Sequence, residues 1–226
     1  MIRIIDFTLA LVGVIFLSPL LIIVSLVLRF TGEQEIFYVQ NRVGKMGNKI
    51  KILKFATMLK DSANMGTGTI TIDGDPRILK VGVFLRKTKI NELPQLLNVI
   101  SGDLSLVGPR PLTTETFNYY DEETKNVLRG YQPGISGLGS LVLRNEEDIL
   151  GLVKDPRTFY REVIAPYKGS LELWFLSQKS MKLYFILIFL TIYIVLTKNN
   201  KLIFKVLKNC PKPKNLELRR LLDIKL

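Results

Sequence analysis

Residues 6–29 read DFTLALVGVIFLSPLLIIVSLVLR. From Phe7 to Leu28 there is no charge; Arg3 and Asp6 stand on one side and Arg29 on the other. As a straight helix this stretch measures about 33 Å, enough for a hydrocarbon core of roughly 30 Å. A cleaved signal peptide fits poorly, because the leading segment has a single Arg, no small-x-small site follows, and the apolar run is too long. Ser18-Pro19 sits in the middle. Proline removes a backbone donor and clashes with the preceding turn, so the helix is expected to bend there. Two geometries follow. A kinked helix could span the bilayer, which tolerates such kinks. Alternatively, two halves of about 15 Å each could reach the bilayer centre and return to the same face. These residues alone leave both open.

Outside this segment the chain is basic. Arg42, Lys45, Lys49, Lys51, Lys54 and Lys60 follow one another with no acidic residue among them, which places this side in the cytoplasm. The 226 residues carry a net charge of +12 while being 47% hydrophobic. That combination suits a protein seated in lipid beside anionic phosphates, where each Lys or Arg is worth roughly 1 kcal/mol. Nucleic acid is the rival polyanion. A single cysteine, Cys210, excludes an intrachain disulfide, and the absence of histidine excludes a His-based triad or zinc site. Acid–base or metal chemistry must therefore come from carboxylates, Lys, Tyr or backbone.

The body predicts short elements. Glu35–Val39 and Lys49–Phe55 alternate apolar and polar residues around Gly44 and Gly47, as a hairpin does. Ile70–Ile72 reads as a strand, and Ile78–Arg86 as weakly helical. Asn91 is placed to cap a helix through Val99, with Glu92 in its first turn. Thr113–Leu128, Glu146–Leu152 and Pro156–Tyr167 read as helices, and Pro133–Gly137 as a loop. A second apolar run, Leu183–Thr197, is short for a membrane span and better suited to the interface, with lysines on both flanks. The organisation expected is a membrane segment over 1–31, a cytoplasmic catalytic domain over 32–178, an interfacial apolar region over 179–210 and a basic tail over 211–226.

Two strings could carry chemistry. Gly108-Pro109-Arg110-Pro111 presents Arg110 from a backbone stiffened by two prolines, and a planar, always-charged fork suits phosphate or diphosphate. Taken alone, the string reads better as a rigid turn with an exposed Arg. Arg86-Lys87-Thr88-Lys89-Ile90-Asn91-Glu92 joins basic residues to a carboxylate at a helix start, where anions bind. A carboxylate beside phosphate holds Mg²⁺ or handles a proton, although a capped helix with a solvated Glu would look the same.

The ordered set is more specific than its parts. Ser18-Pro19, Gln40-x-Arg42-x-Gly44, Lys54-Phe55-x-Thr57-Met58, Asp75-Pro76-Arg77, Glu92-Leu93-Pro94-Gln95-Leu96-x-Asn98-Val99, Gly102-Asp103-x-Ser105 through Pro111 and Pro133-Gly134-Ile135-x-Gly137 cover nearly the whole chain. In that order they resemble the bacterial sugar transferases, monotopic polyprenyl-phosphate phosphoglycosyl transferases that begin surface-polysaccharide and glycoconjugate assembly.

The resemblance implies an α+β, mainly helical fold, with a re-entrant helix-break-helix at Ser18-Pro19 and a small cytoplasmic domain carrying short strands and interfacial helices. It implies transfer of a sugar 1-phosphate from a nucleotide diphosphosugar, usually a UDP-sugar, to polyprenyl phosphate. UMP leaves, Mg²⁺ assists, and the site faces the cytoplasm at the bacterial inner membrane. Glu92 is then the expected catalytic and metal-binding carboxylate. Arg110, Arg86, Lys87, Arg77, Lys54 and Pro109 form the expected phosphate-binding set. The partners implied are the nucleotide sugar, the lipid phosphate and the membrane, with further copies of the chain or glycan-assembly enzymes as possible company and no nucleic acid.

One departure matters. The family's nucleophilic Asp is Asn91 here, and a neutral amide cannot form an acyl-phosphate. Three readings follow: Glu92 carries the chemistry as nucleophile or by activating the lipid phosphate; Asp103 or Asp75 replaces the nucleophile; or the chain is a catalytically reduced scaffold that binds lipid phosphate. The retained phosphate-reading residues favour activity. A nucleic-acid binder would show basic residues interleaved with aromatics, which this sequence lacks. A plain membrane anchor leaves the Gly108–Pro111 loop without a reason.

Overall fold

The computed structural model describes residues 2–66, 68 and 70–223. Thus Thr67, Thr69 and the last three residues of the expected tail lie outside the described residues.

Helix α1 (Ile2–Arg29) is a single helix with Pro19 inside it, so the interruption expected at Ser18-Pro19 does not divide the segment into two helices. The reason is local. Pro19 cannot donate to the carbonyl of Ile15, four residues back, and Ser18 Oγ donates to that carbonyl instead, at 2.8 Å. The buried residues of α1 are Asp6, Ala10, Val24 and Leu28. Asp6 and Val24 are five turns apart, so these four share one stripe, and most of the other apolar side chains face outward.

That stripe lies along the body of the molecule. Arg3 donates to the carbonyls of Val99 and Ile100, the latter at 2.7 Å, at the C-terminal end of α3 (Gln95–Ser101), where a cation is favoured. Ala10 packs with Ile52, Val99 and Leu104. Val24 and Leu28 pack with Phe55 and Leu85. Hence α1 runs antiparallel to α3, and the body touches it near both ends.

Strands β1 (Phe37–Val43) and β2 (Lys49–Phe55) form the expected hairpin, antiparallel with Phe37 opposite Phe55 and Val43 opposite Lys49. Helix α2 (Lys80–Lys87) follows. The helix expected to start at Asn91 starts later: Ile90–Glu92 is one 3₁₀ turn, and α3 begins after Pro94. Proline is at home at a helix start but not inside one. Asn98 then ties α3 to β2, accepting from Leu53 N (2.9 Å) and donating to Lys51 O (2.8 Å).

Strand β3 (Ser105–Val107) pairs in parallel with β4 (Gly134–Ser136), so the segment expected as a loop over Pro133–Gly137 is partly strand. Between them, Asp121 caps α5 (Glu122–Arg129) and separates it from α4 (Thr114–Phe117), dividing the single helix expected there. Ile70–Ile72, expected as a strand, is irregular, and the Ile70 carbonyl accepts from Arg77 at 3.0 Å.

The remainder is helical: α6 (Leu138–Val142), α7 (Glu146–Gly151), α8 (Pro156–Phe159), a π turn over Tyr160–Ile164, α9 (Ala165–Ser177), α10 (Met181–Thr197), α11 (Leu202–Val206) and α12 (Leu216–Leu221). One face of α10 (Leu183, Tyr184, Leu187, Leu190, Ile194) belongs to the main core, with Leu171 and Ile164. Its other face exposes Phe185, Phe189, Ile192 and Leu196. The segment beyond Pro211 is also packed: Leu218 and Leu222 are buried in the same core, and Tyr167 Oη donates to Pro211 O at 2.9 Å.

Candidate functional site

Three backbone segments converge on Glu92. The 3₁₀ turn that carries it follows Lys89, held in the left-handed region at φ 61°, a conformation a non-glycine residue adopts at some cost and one concentrated at functional sites. Arg110 comes from the loop after β3. That loop lies against β4 closely enough that a Cβ on Gly134 would stand 2.1 Å from Gly108 N, so glycine is required there. Gly134 N donates to Pro109 O (2.9 Å), and Val43 N to Leu112 O (2.8 Å), which fixes the loop to β4 and to the hairpin. The buried Pro109 therefore shapes the loop. Lys54 arrives from the end of β2, and Arg42 from β1, where Gln40 Oε1 accepts from its Nε at 3.0 Å.

Glu92 is held on both oxygens. Arg110 Nη2 pairs with Oε1, Arg110 Nη1 donates to Oε2 at 3.1 Å, and Lys54 Nζ lies 3.5 Å from Oε1. Burial alone would raise the Glu92 carboxyl, but Arg110 and Lys54 more than reverse this and hold it well below the usual carboxylate range. Arg110 is raised in turn, chiefly by Glu92. Burial pulls Lys54 down to about 7, with Glu92 opposing and Arg42 and Arg110 adding to the fall. Arg42 is lowered to about 10 by burial and by Arg110.

Around this centre lies a cleft of about 880 Å³. Leu17 and Leu20, on either side of Ser18-Pro19, line it, as do Ile194 and Leu196 of α10. Both long apolar helices therefore supply wall beside the cation cluster. At other points the wall is polar and unsatisfied: Arg86 Nε, Asn91 Oδ1, Ser140 Oγ and Arg144 Nε are buried without hydrogen-bond partners among the described residues. A buried polar atom without a partner costs about 1–3 kcal/mol, so several along one cleft mark where a polar ligand belongs.

The expected site residues divide. Glu92, Asn91, Lys54, Arg86 and Arg110 all line the cleft, and Arg86 pairs there with Glu147. Lys87 points to solvent at the end of α2. Arg77 is turned inward: it chelates Asp75 (2.8 and 2.5 Å) and donates to the carbonyls of Ser62, Met65, Gly68 and Ile70. That arrangement gathers those four carbonyls around one guanidinium. Asp103 sits beyond the far end of α3, accepting from Ser101 Oγ at 2.7 Å, and Asn91 is buried as a neutral amide.

Sequence reading passed over four cleft residues or their supports. Lys168 is buried, pairs with Glu146 and lies over the Tyr160 ring (5.3 Å to its centre); all three line the cleft. Glu172, one turn along α9, is buried behind the Arg110 loop and accepts from Gly139 N at 3.2 Å. The i, i+4 spacing of Lys168 and Glu172 was the available signal, but on a helix it reads equally as a solvated pair.

A family model described as bacterial sugar transferase matches residues 1–198. The exopolysaccharide production protein ExoY of Sinorhizobium fredii is 36% identical over 155 residues, covering 62% of this chain and 68% of the relative. The galactosyl transferase CpsE of Streptococcus agalactiae is 39% identical over 153 residues, 63% of this chain and 34% of the relative. The UDP-glucose:undecaprenyl-phosphate glucose-1-phosphate transferase of Escherichia coli is 32% identical over 191 residues, 81% of this chain and 38% of the relative. The chain thus spans about a third of the last two. With a match over residues 1–198 of 226, the chain belongs to the bacterial sugar transferase family.

Proposed function

We propose that this protein transfers a sugar 1-phosphate from a nucleotide diphosphosugar, a UDP-sugar, to undecaprenyl or a similar polyprenyl phosphate. It releases UMP in the first step of assembling a polysaccharide or glycoconjugate. The observation that carries this reading is the cleft itself. Its apolar wall from α1 and α10 suits a polyprenyl chain, and the half-buried cluster of Arg42, Lys54 and Arg110 suits two phosphorylated substrates. The names of the relatives, which include an undecaprenyl-phosphate glucose-1-phosphate transferase, point the same way.

In this reading the cations neutralise phosphate oxygens, and Glu92 keeps Arg110 and Lys54 aimed into the cleft until substrate arrives. Mg²⁺ at a diphosphate takes most of its ligands from phosphate and water and needs only one or two carboxylates. Glu92 fits that limited demand; among the described residues no cluster of three or more metal-ligating side chains is present. The bound ion would neutralise developing charge on the diphosphate.

Re-entry of α1 from the cytoplasmic face belongs to the same proposal. By length and composition the helix could cross a membrane. It is supported near both ends by one body, through Arg3 and Asp6 at the start and Val24 and Leu28 toward the end, and a membrane-crossing rod would carry one of those contacts to the wrong side. A cysteine placed at Ile4 should react with an impermeant label from the cytoplasmic side; labelling only from the outside would restore a span.

The test of function is direct. Purified protein with undecaprenyl phosphate, Mg²⁺ and a panel of UDP-sugars should release UMP with at least one donor. Asn91 favours a second reading, a scaffold that binds lipid phosphate without turning over. Silence across the whole panel, with the lipid still bound, would establish that reading instead.

A further inference from the structure

The carboxylates lining the cleft are all engaged. Glu92 is held by Arg110 and Lys54, Glu146 by Lys168, and Glu147 by Arg86. At the rim, Glu33 accepts from Lys60 N (2.5 Å) and Glu35 from Lys60 Nζ (2.9 Å). To attack phosphorus, any of them would first give up a charge-assisted hydrogen bond, and Glu92, the most central, is also held at low basicity. Asp75 is chelated by Arg77, and Asp103 lies outside the cleft lining. The buried hydroxyl of Ser140 does line the cleft, but Oγ has no hydrogen-bond partner among the described residues. It therefore lacks the base that would activate it. Asn91 offers only an amide.

Resting on the transferase reading, we infer that the sugar phosphate passes straight from nucleotide to lipid in a single displacement at phosphorus, with both substrates in the cleft at once and no phosphorylated side chain between them. A non-bridging oxygen of the polyprenyl phosphate forms a bond to the phosphorus that bears the sugar. The bond from that phosphorus to the oxygen bridging the two nucleotide phosphates breaks, and its electron pair leaves on the nucleoside monophosphate. Two dianions enter and two dianions leave, so no proton has to move. A reaction that needs no base suits a cleft whose carboxylates are already ion-paired and where Arg42, in no ion pair with a carboxylate among the described residues, is left to stabilise charge spread over the transferring group. The cleft is walled by lipid-like side chains on one side and unsatisfied polar atoms on another, a lining that matches a lipid and a polar substrate side by side.

Glu92 becomes a positioning residue for Arg110 and Lys54. Its replacement should change how the substrates bind without changing the order of chemical events.

The full chain, in lipid nanodiscs with Mg²⁺, is given the UDP-sugar that supports turnover and radiolabelled UMP, first without polyprenyl phosphate. Direct transfer predicts no return of label into the UDP-sugar. Adding the lipid should give turnover with intersecting initial-rate lines, and a donor chiral at the sugar-bearing phosphorus should show one inversion. Label exchange without lipid, parallel lines, net retention at phosphorus or a phosphosugar adduct found by mass spectrometry would each overturn the proposal while leaving the transferase reading intact. Absence of UMP release with lipid present, across the donor panel, would overturn both.

Discussion

Lys54 lies 3.5 Å from Glu92, yet burial influences it more than that partner does and brings its ammonium down to about 7. The protonated form is the one that can hold a phosphate, and it is lost as pH rises through 7. The KM for the nucleotide sugar is therefore expected to climb between pH 7 and 9, by up to about tenfold per unit. Lys54→Arg, charged throughout that range, should flatten the climb. Steady-state kinetics from pH 6 to 9 decides it: a wild-type KM that stays level contradicts a titrating Lys54.

Glu172 makes the opposite case. Burial raises it to about 7, against the N–H groups of Gly139 and Arg110 and the charges of Lys168 and Arg110, which pull it down. Its folded value lies above the unfolded one of 4.5, so the penalty is absent below that pH and grows as pH rises to 7, reaching about 3 kcal/mol at most. Glu172→Gln still accepts from Gly139 and removes that penalty. Thermal unfolding should show the variant gaining on the parent between pH 5 and 8, and an unchanged difference would show that Glu172 does not titrate in the fold. Arg110 could be singled out from its two flanking prolines, Glu92 from its place at a helix start beside basic residues, and Lys54 only through the ordered family motifs. Lys168 and Glu172 could not, because only the packing of α9 against the Arg110 loop gives them their partners.

At the scale of elements, α1 is fixed to the body by polar ties at Arg3 and Asp6 among many apolar ones, and Asp6 is the buried one. Asp6 accepts from Ser105 Oγ (2.7 Å), Leu106 N (2.9 Å) and Tyr184 Oη (2.6 Å), joining the helix to β3 and α10. Asp6→Ala leaves three donors to find other partners, and a loss of about 3 kcal/mol or more is expected. Unfolding measured in detergent would test it; a loss below about 1 kcal/mol would make the tie ornamental. Pro19→Ala carries a different expectation. It supplies the donor that Ser18 now replaces at Ile15 O, so the helix should become more stable. Leu17 and Leu20 would shift at the cleft wall, and turnover with polyprenyl phosphate should fall. Stability and activity rising together would separate the proline from the site.

The elements themselves were legible to different degrees. The α1 run and the hairpin announced themselves through length and alternation. The parallel pairing of β3 with β4 did not, because three-residue strands carry too short a pattern and their partner lies about thirty residues away. Asn91 looked like a cap, and it was Pro94, three residues later, that set the helix start.

Over the whole molecule, more than half of the large apolar side chains left exposed among the described residues fall on the two long helices. Ile15, Phe16, Ile22 and Ile23 are exposed along α1, and Phe185, Phe189, Ile192 and Leu196 along α10. The sequence marked both runs as lipid-seeking but could not show that α10 divides its faces, with Leu187 and Leu190 fully buried while Phe189 is 61% exposed. This division separates two effects that hydropathy merges. Phe16→Glu together with Phe189→Glu removes lipid-facing surface worth about 25 cal/mol per Å² and adds charge where the membrane would be, without touching the core. The double variant is expected to keep its unfolding transition in detergent yet float poorly with vesicles containing anionic lipid. Leu187→Ala, facing the core, should do the reverse and destabilise by about 2–5 kcal/mol while the surviving folded protein still floats. Equal flotation of the double variant and the parent would mean that these faces meet something other than lipid. The bound state of the parent should also weaken with salt, because the basic stretch from Arg42 to Lys60 adds an electrostatic component that the apolar faces lack.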